Sequence, residues 1–242
     1  MVRTFVIGHA GAGGEAPENT LAGVRACLAA GVEGMEIDVQ ISRDGVPILL
    51  HDTTLDRTTG LRGPLLAFSL AELQAADAGG GEPVPSLAQV LDLVDGAFTV
   101  MIELKVDYDT EAVDLPLLEG VLAAIRKRSA ESWCGLHSFH PGIVAAARER
   151  APEISAAIIS IPVRGPAGLE RLIRATLRRN AQAISLEHRA ITAETVRKVK
   201  ARQLSLWAWT ADSPADWDRL IDAGVDGIIT NVPGKLRRHL SG

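Results

Sequence analysis

The sequence predicts one (β/α)8 barrel, the TIM-barrel class, spanning residues 1–242 and interrupted at 53–85 by an inserted excursion after the second strand. Three observations carry this reading. Strand and helix patterns alternate through eight units in 242 residues, the size at which such barrels close. No GxGxxG opens a helix with an acidic residue about 20 positions on, which disfavours an open dinucleotide-binding sheet. Charged and imidazole side chains recur at the carboxyl end of successive predicted strands, where a barrel keeps its chemistry.

The elements follow in order. The apolar run at 4–9 ends in His9, ahead of the glycine-rich Ala10–Gly14. Pro17-Glu18-Asn19-Thr20 opens a helix capped by Asn19 or Thr20, with Leu21, Val24 and Leu28 at helical spacing and Gly31 as its stop. Residues 36–41 alternate Glu36, Asp38 and Gln40 with apolar positions, the period of a strand. Asp44-Gly45 is a hairpin turn signal, so 46–51 is expected to fold back as an extension of the same unit. The stretch 53–85 is rich in Gly, Thr and Pro, with one helical signal at 69–76, and is too long for an ordinary connection. A helix over 86–94 and a strand over 98–106 follow. Helices are then predicted at 113–128, 141–150, 169–178, 193–201, 214–223 and 233–240, and strands at 133–139, 155–160, 181–188, 204–210 and 227–230.

Composition narrows the function. With 47% hydrophobic residues the chain can bury one large core. A net charge of −5 without a basic run argues against nucleic acid as a partner. A small anion stays compatible, because a local cation reverses a weak global field. Cys27 and Cys134 lie far apart without ligand spacing and are expected to be buried thiols. The opening MVRTFVIGHA is too short for a secretory signal, and no run reaches 18 apolar residues, so a cytoplasmic chain without stable membrane insertion is expected.

The chemistry concentrates at 34–52. Glu36 and Asp38 lie two apart on one strand and face the same side, where two carboxylates repel unless something positive sits between them. A divalent cation bound by oxygen is the simplest resolution, and a solvated strand face is the alternative. His9, His51, Glu103, Lys105, Glu187 and Trp209 also fall at strand ends. His137 and His140 are read as loop or rim residues.

These residues together resemble the glycerophosphodiester phosphodiesterase family. The likeness is carried by His9 with Gly11, Pro17-Glu18-Asn19-Thr20, Glu36-Ile37-Asp38, Asp44-Gly45, His51-Asp52 and Arg57-Thr58-Thr59-Gly60. Glu103-Leu104-Lys105, Ser138-Phe139, Trp209-Thr210 and Gly224 to Thr230 extend it. The resemblance implies a barrel whose excursion caps the site, and hydrolysis of small glycerophosphodiesters to sn-glycerol 3-phosphate and an alcohol with one divalent cation, Mg2+ or Ca2+. It implies Glu36, Asp38 and Glu103 as metal ligands and His9 and His51 as the acid/base pair. Lys105 and Trp209 would be substrate-binding residues. Glu187 is a further candidate from its place at a strand end, facing the alcohol part. Lys105 has a second reading, a salt bridge to one of these carboxylates. Members commonly carry Arg where Ala10 stands, Asn where Asp212 stands, and Asp where Asn231 stands. A related lysophospholipase D-type barrel, or a barrel that binds phosphodiesters without turnover, are the rival readings.

Overall fold

A computed structural model describes residues 4–106 and 113–241. Eight parallel strands close into a barrel: β1 (Phe5–Gly8), β2 (Gly34–Ile41), β4 (Thr99–Leu104), β5 (Cys134–Ser138), β6 (Ser155–Ser160), β7 (Ala183–Glu187), β8 (Ser205–Trp209) and β9 (Gly227–Thr230). β1 pairs with both β9 and β2, which completes the circle. A ninth strand, β3 (Pro47–Leu49), runs antiparallel to β2 outside the barrel, as the hairpin turn signal predicts. Helices α1 (Leu21–Ala30), α2 (Leu70–Gln74), α3 (Leu87–Val94), α4 (Leu115–Arg126), α5 (Pro141–Arg150), α6 (Gly165–Arg178), α7 (Ala193–Lys200), α8 (Pro214–Ala223) and α9 (Pro233–His239) follow the strands. Helix α6 begins four residues earlier than the apolar spacing predicts, because Pro166 fits the first turn and needs no apolar partner.

The two faces of each strand explain the layering. On β2, Met35, Ile37 and Val39 turn outward and are fully buried in the main core, among residues of α3 and α4 such as Leu87, Leu91, Leu117 and Leu118. Burying each such side chain is worth about 1.5–3 kcal/mol, and truncating one to Ala costs about 2–5 kcal/mol. Glu36 and Asp38, one position out of phase, face the barrel interior. That interior has an apolar floor of Ile7, Met101 and Ile229, with Trp207 and Trp209 packed against it. Its polar residues lie toward the carboxyl ends.

Caps set the helix starts. The Thr20 side chain accepts from Gly23 N at the start of α1, and Ser86 forms a capping box with Gln89 at α3. The chain between β3 and α3 builds its own small apolar cluster from Leu50, Leu55, Leu65, Leu73, Ala78 and Val84 against Ile48. No helix among the described residues is long and apolar enough to cross a membrane.

Candidate active site

The carboxyl end of β1 is shaped by glycine. A Cβ at Gly8 would fall 2.0 Å from Gly11 O and 2.5 Å from Cys27 Sγ, so only glycine lets the chain turn there toward the barrel mouth. His9 follows, and Ala10 takes a left-handed φ of 47° that directs its N–H to Glu36 Oε2 at 3.1 Å. His9, His51, Glu36, Glu103, Lys105 and His137 line one cavity of about 130 Å3, with Phe139, Ile159, Ser185, Trp209 and Ile229 as its less polar side. Phe139 and Trp209 meet edge to face at 5.5 Å.

Both histidines are held by one ring nitrogen. His9 Nδ1 lies 2.7 Å from Asn231 Oδ1, and Asn231 donates from Nδ2 and its backbone N to the two oxygens of Asp212. The amide oxygen is therefore the end that faces His9, so Nδ1 carries the proton and Nε2 points at Glu36, 3.9 Å from Oε2. His51 Nδ1 lies 2.8 Å from Asp52 Oδ1, which leaves Nε2 for the cavity. Asp52 accepts in turn from Arg57, whose guanidinium also grips Glu18.

The electrostatics follow from burial and pairing. Burial opposes a charge on His9, but Glu36, Asp38, the Asn231 hydrogen bond and Glu103 outweigh it and raise its pKa. Burial likewise pushes Asp38 up, yet Lys105, His9 and His51 prevail and hold its carboxyl below the ordinary value. Glu103 goes the other way: burial, Asp38 and Glu36 raise it despite Lys105. Burial pushes both the Cys27 and the Cys134 thiol up to about 12, as expected of inert core cysteines.

Asp52 is lowered to about 2, first by its hydrogen bond from Arg57 and then, against burial, by His51. Its stabilising contribution is present above the unfolded value of 3.8 and is lost as the pH falls through about 2. Solvent screening at this partly exposed pair reduces it to about 1 kcal/mol. Asp52→Asn is expected to lower the melting temperature by about 2–4 °C at pH 7, with the gap closing below pH 4. Melting curves across pH 2–7 check this, and a gap that persists unchanged to pH 2 refutes the assignment.

Several sequence expectations shift. Lys105 forms the salt bridge that was its second reading, with Nζ 2.8 Å from both Asp38 Oδ1 and Glu103 Oε1, while still lining the cavity. Asp38 accepts from Asn19 Nδ2 at 2.7 Å and returns its own N–H to Asn19 Oδ1, so Thr20 alone caps α1 and Asn19 serves the site. Glu187 is not among the residues lining the cavity. Its carboxylate accepts from Arg189 N, and the adjoining His188 packs against Asp216 and Arg219. Trp209 stands at the cavity as expected. His140 caps α5 through Nδ1 to Ile143 N. His137 is neither loop nor rim: it is the fourth residue of β5, 2% exposed, and the ladder sets it beside Glu103. Among the described residues, Glu36, Glu103 and His137 are the group that could share a metal ion, their ligand atoms lying within 4.8 Å of one another. A strand with His137 in phase with Gly135 was the sequence signal for that placement.

The departures at positions 212 and 231 prove to be one feature, since Asp212 and Asn231 bond to each other and together hold His9. Ala10 lines a second, more open depression shared with Arg57. Arg57 commits four of its five N–H donors to Glu18 and Asp52.

A closed (β/α)8 barrel that gathers proton-transfer groups and buried carboxylates in one cavity at its carboxyl end defines a barrel enzyme. The sequence pattern of the Glycerophosphoryl diester phosphodiesterase family matches residues 9–235, and the chain belongs to that family. It is a hydrolase of glycerophosphodiesters. It is 33% identical over 244 residues to a glycerophosphodiester phosphodiesterase of Caldanaerobacter subterraneus subsp. tengcongensis, covering 97% of each chain. A crystal structure of a putative glycerophosphoryl diester phosphodiesterase from Silicibacter pomeroyi superposes with a TM-score of 0.90 at 31% identity, covering 98% of this chain and 93% of that one. A phosphodiesterase of Oleispira antarctica, solved with its product sn-glycerol-3-phosphate, shares the fold with a TM-score of 0.87 at 24% identity. It is covered to 98%, and this chain fully.

Proposed function

We propose that the enzyme hydrolyses glycerophosphodiesters to sn-glycerol 3-phosphate and an alcohol, using one divalent cation and His9 and His51 as its acid/base pair. The observation that carries this reading is that both imidazoles line one cavity with each Nδ1 bound to an oxygen acceptor, leaving each Nε2 for the substrate. The product bound to the Oleispira enzyme supports the substrate class.

The donor set fits a cation. Glu36, Asp38 and Glu103 are buried with only Lys105 as a nearby ammonium, and both ring nitrogens of His137 lack a hydrogen-bond partner among the described residues. Glu36 and Glu103 would hold the ion, and Asp38, engaged by Asn19 and Lys105, is the third carboxylate of the cluster. A bound divalent cation supplies charge neutralisation at the phosphate and polarisation of its P–O bonds. The residues of the chain do the rest. One imidazole takes the proton from the attacking oxygen and the other gives one to the leaving oxygen, a contribution of about 10²–10⁴-fold each. Imidazole titrates near neutrality, which suits it to both roles. Lys105 presents its ammonium to a phosphate oxygen from the cavity wall, and Trp209 with Phe139 walls the organic part. The excursion after β3, which supplies Arg57 to hold Asp52, caps the mouth.

A second reading, cleavage of lysophospholipids by the same machinery, is favoured by one observation. Ile161, just beyond the carboxyl end of β6, and Leu66 on the excursion are 65% and 63% exposed. One panel tests both: glycerophosphocholine, glycerophosphoethanolamine, glycerophosphoinositol and lysophosphatidylcholine, each with Mg2+, Ca2+ or chelator. Hydrolysis of the three water-soluble diesters that stops on chelation is expected. Turnover of lysophosphatidylcholine alone assigns the second reading, and full turnover in chelator rejects the metal.

A further inference from the structure

His137 is the one buried imidazole of the cavity that the reaction above leaves without a task. Its position follows from the ladder. β4 and β5 pair Glu103 with His137, and both side chains point into the barrel. The ring is closed off from solvent, with a side-chain exposure of 3%, and Nε2 sits 3.5 Å from Glu36 Oε1. Neither Nδ1 nor Nε2 has a hydrogen-bond partner among the described residues. A buried imidazole with both nitrogens unmet bears its full desolvation cost, so a ligand is the economical account of it. His9 and His51, by contrast, are each held through Nδ1.

The spacing suits an ion. One atom each from Glu36, Glu103 and His137 lies within 4.8 Å of the others, about twice a metal–ligand bond of roughly 2.0–2.3 Å. Asp38, the carboxylate that would complete an all-oxygen set, is tied to Asn19 through Oδ2 and its backbone N–H and falls outside that group. We propose that His137 is a nitrogen ligand in a Glu36–Glu103–His137 site, and that this site takes a borderline transition metal such as Mn2+, Co2+ or Zn2+ in preference to Mg2+ or Ca2+. Hard cations take oxygen, whereas imidazole suits the later first-row metals. The inference rests on the reading that the acidic cluster holds a cation, and it is independent of the reaction performed there.

Because almost any site binds Co2+ or Zn2+ more tightly than Mg2+, the wild-type preference alone decides nothing. The differential effect of removing the nitrogen does. Chelator-stripped protein is titrated calorimetrically with Mg2+, Mn2+, Co2+ and Zn2+, and Co2+ binding is also followed by its visible absorption. His137→Gln should weaken Co2+ and Zn2+ by at least 10-fold and Mg2+ by less than threefold, while Glu36→Gln should weaken all four metals. Equal losses across the metals, or none, overturn the proposal. If His137→Gln does not fold by circular dichroism, the Co2+-loaded wild-type protein is read by proton NMR. A hyperfine-shifted, exchangeable imidazole N–H supports nitrogen ligation and its absence refutes it. Tight Co2+ binding by a protein that hydrolyses no phosphodiester would keep the site and sink the proposed reaction. Failure to bind any metal would sink both the site and the metal-dependent mechanism.

Discussion

Glu36→Gln should reduce kcat by about 10³-fold or more while leaving the barrel folded. Glu36 is 2% exposed, and its Oε2 accepts the N–H of Ala10, a contact the isosteric amide keeps through its oxygen. What the amide removes is charge. The cluster of Glu36, Asp38 and Glu103 faces Lys105 as its nearest ammonium, and the lysine touches only the latter two. Glu36 is thus the carboxylate that the lysine leaves uncompensated, and the one a divalent cation would engage most fully. A metal's stabilisation of charge in the transition state is worth several kcal/mol, and about 4 kcal/mol corresponds to a factor of about 10³. Stability should be unchanged or slightly higher, since one like charge leaves a buried group. The check is kcat at saturating substrate and metal beside a melting curve. A variant retaining more than a tenth of wild-type kcat would remove Glu36 from the mechanism.

Much of this site was legible before any coordinates, and the reason is periodicity. Glu36 and Asp38 are two residues apart on a strand, and a period of two allows no other arrangement than a shared face. The eight strand–helix units were equally open to reading, because each apolar run and each Pro or Ser/Thr helix start is a local signal. What stayed hidden depends on contacts between distant segments. Asn19 has the composition of a helix cap, and only the approach of the loop before α1 to β2 turns it into the partner of Asp38. Asp212 and Asn231 looked like two separate departures from a family pattern, yet they are 19 residues apart and bonded. Glu187 ends its strand, and its carboxylate accepts from Arg189 N in the next turn, a contact that a strand-end position does not announce. His137 was read as a rim residue although its strand was predicted, because nothing local to 133–139 shows that this side chain is buried beside Glu103 of the neighbouring strand.

His9→Ala and His51→Ala should each lower kcat by about 10²–10⁴-fold, and the double variant should be little worse than the poorer single one. Non-additivity follows from the mechanism: once the proton taken at one oxygen has no donor at the other, removing the second imidazole changes little. The structure sets which of the two is more sensitive to its surroundings. His9 is held by an amide that is itself fixed by Asp212, inside a cluster of three carboxylates that raises its pKa. His51 is half-exposed at the mouth and relies on Asp52, whose own carboxylate Arg57 steadies. His9→Ala therefore also deletes the stabilisation that a protonated imidazole lends the carboxylates. The sign is fixed by the raised pKa: that stabilisation is complete below the unfolded value of 6.5 and disappears as the pH rises through the higher folded value. The apoprotein of His9→Ala should accordingly lose melting temperature near pH 6 and regain parity with wild type at alkaline pH. Rate measurements on both singles and the double, with melting curves from pH 6 to 9, test the pair. Near wild-type turnover by either single variant removes that histidine from the reaction, and a multiplicative loss in the double shows that the two act independently.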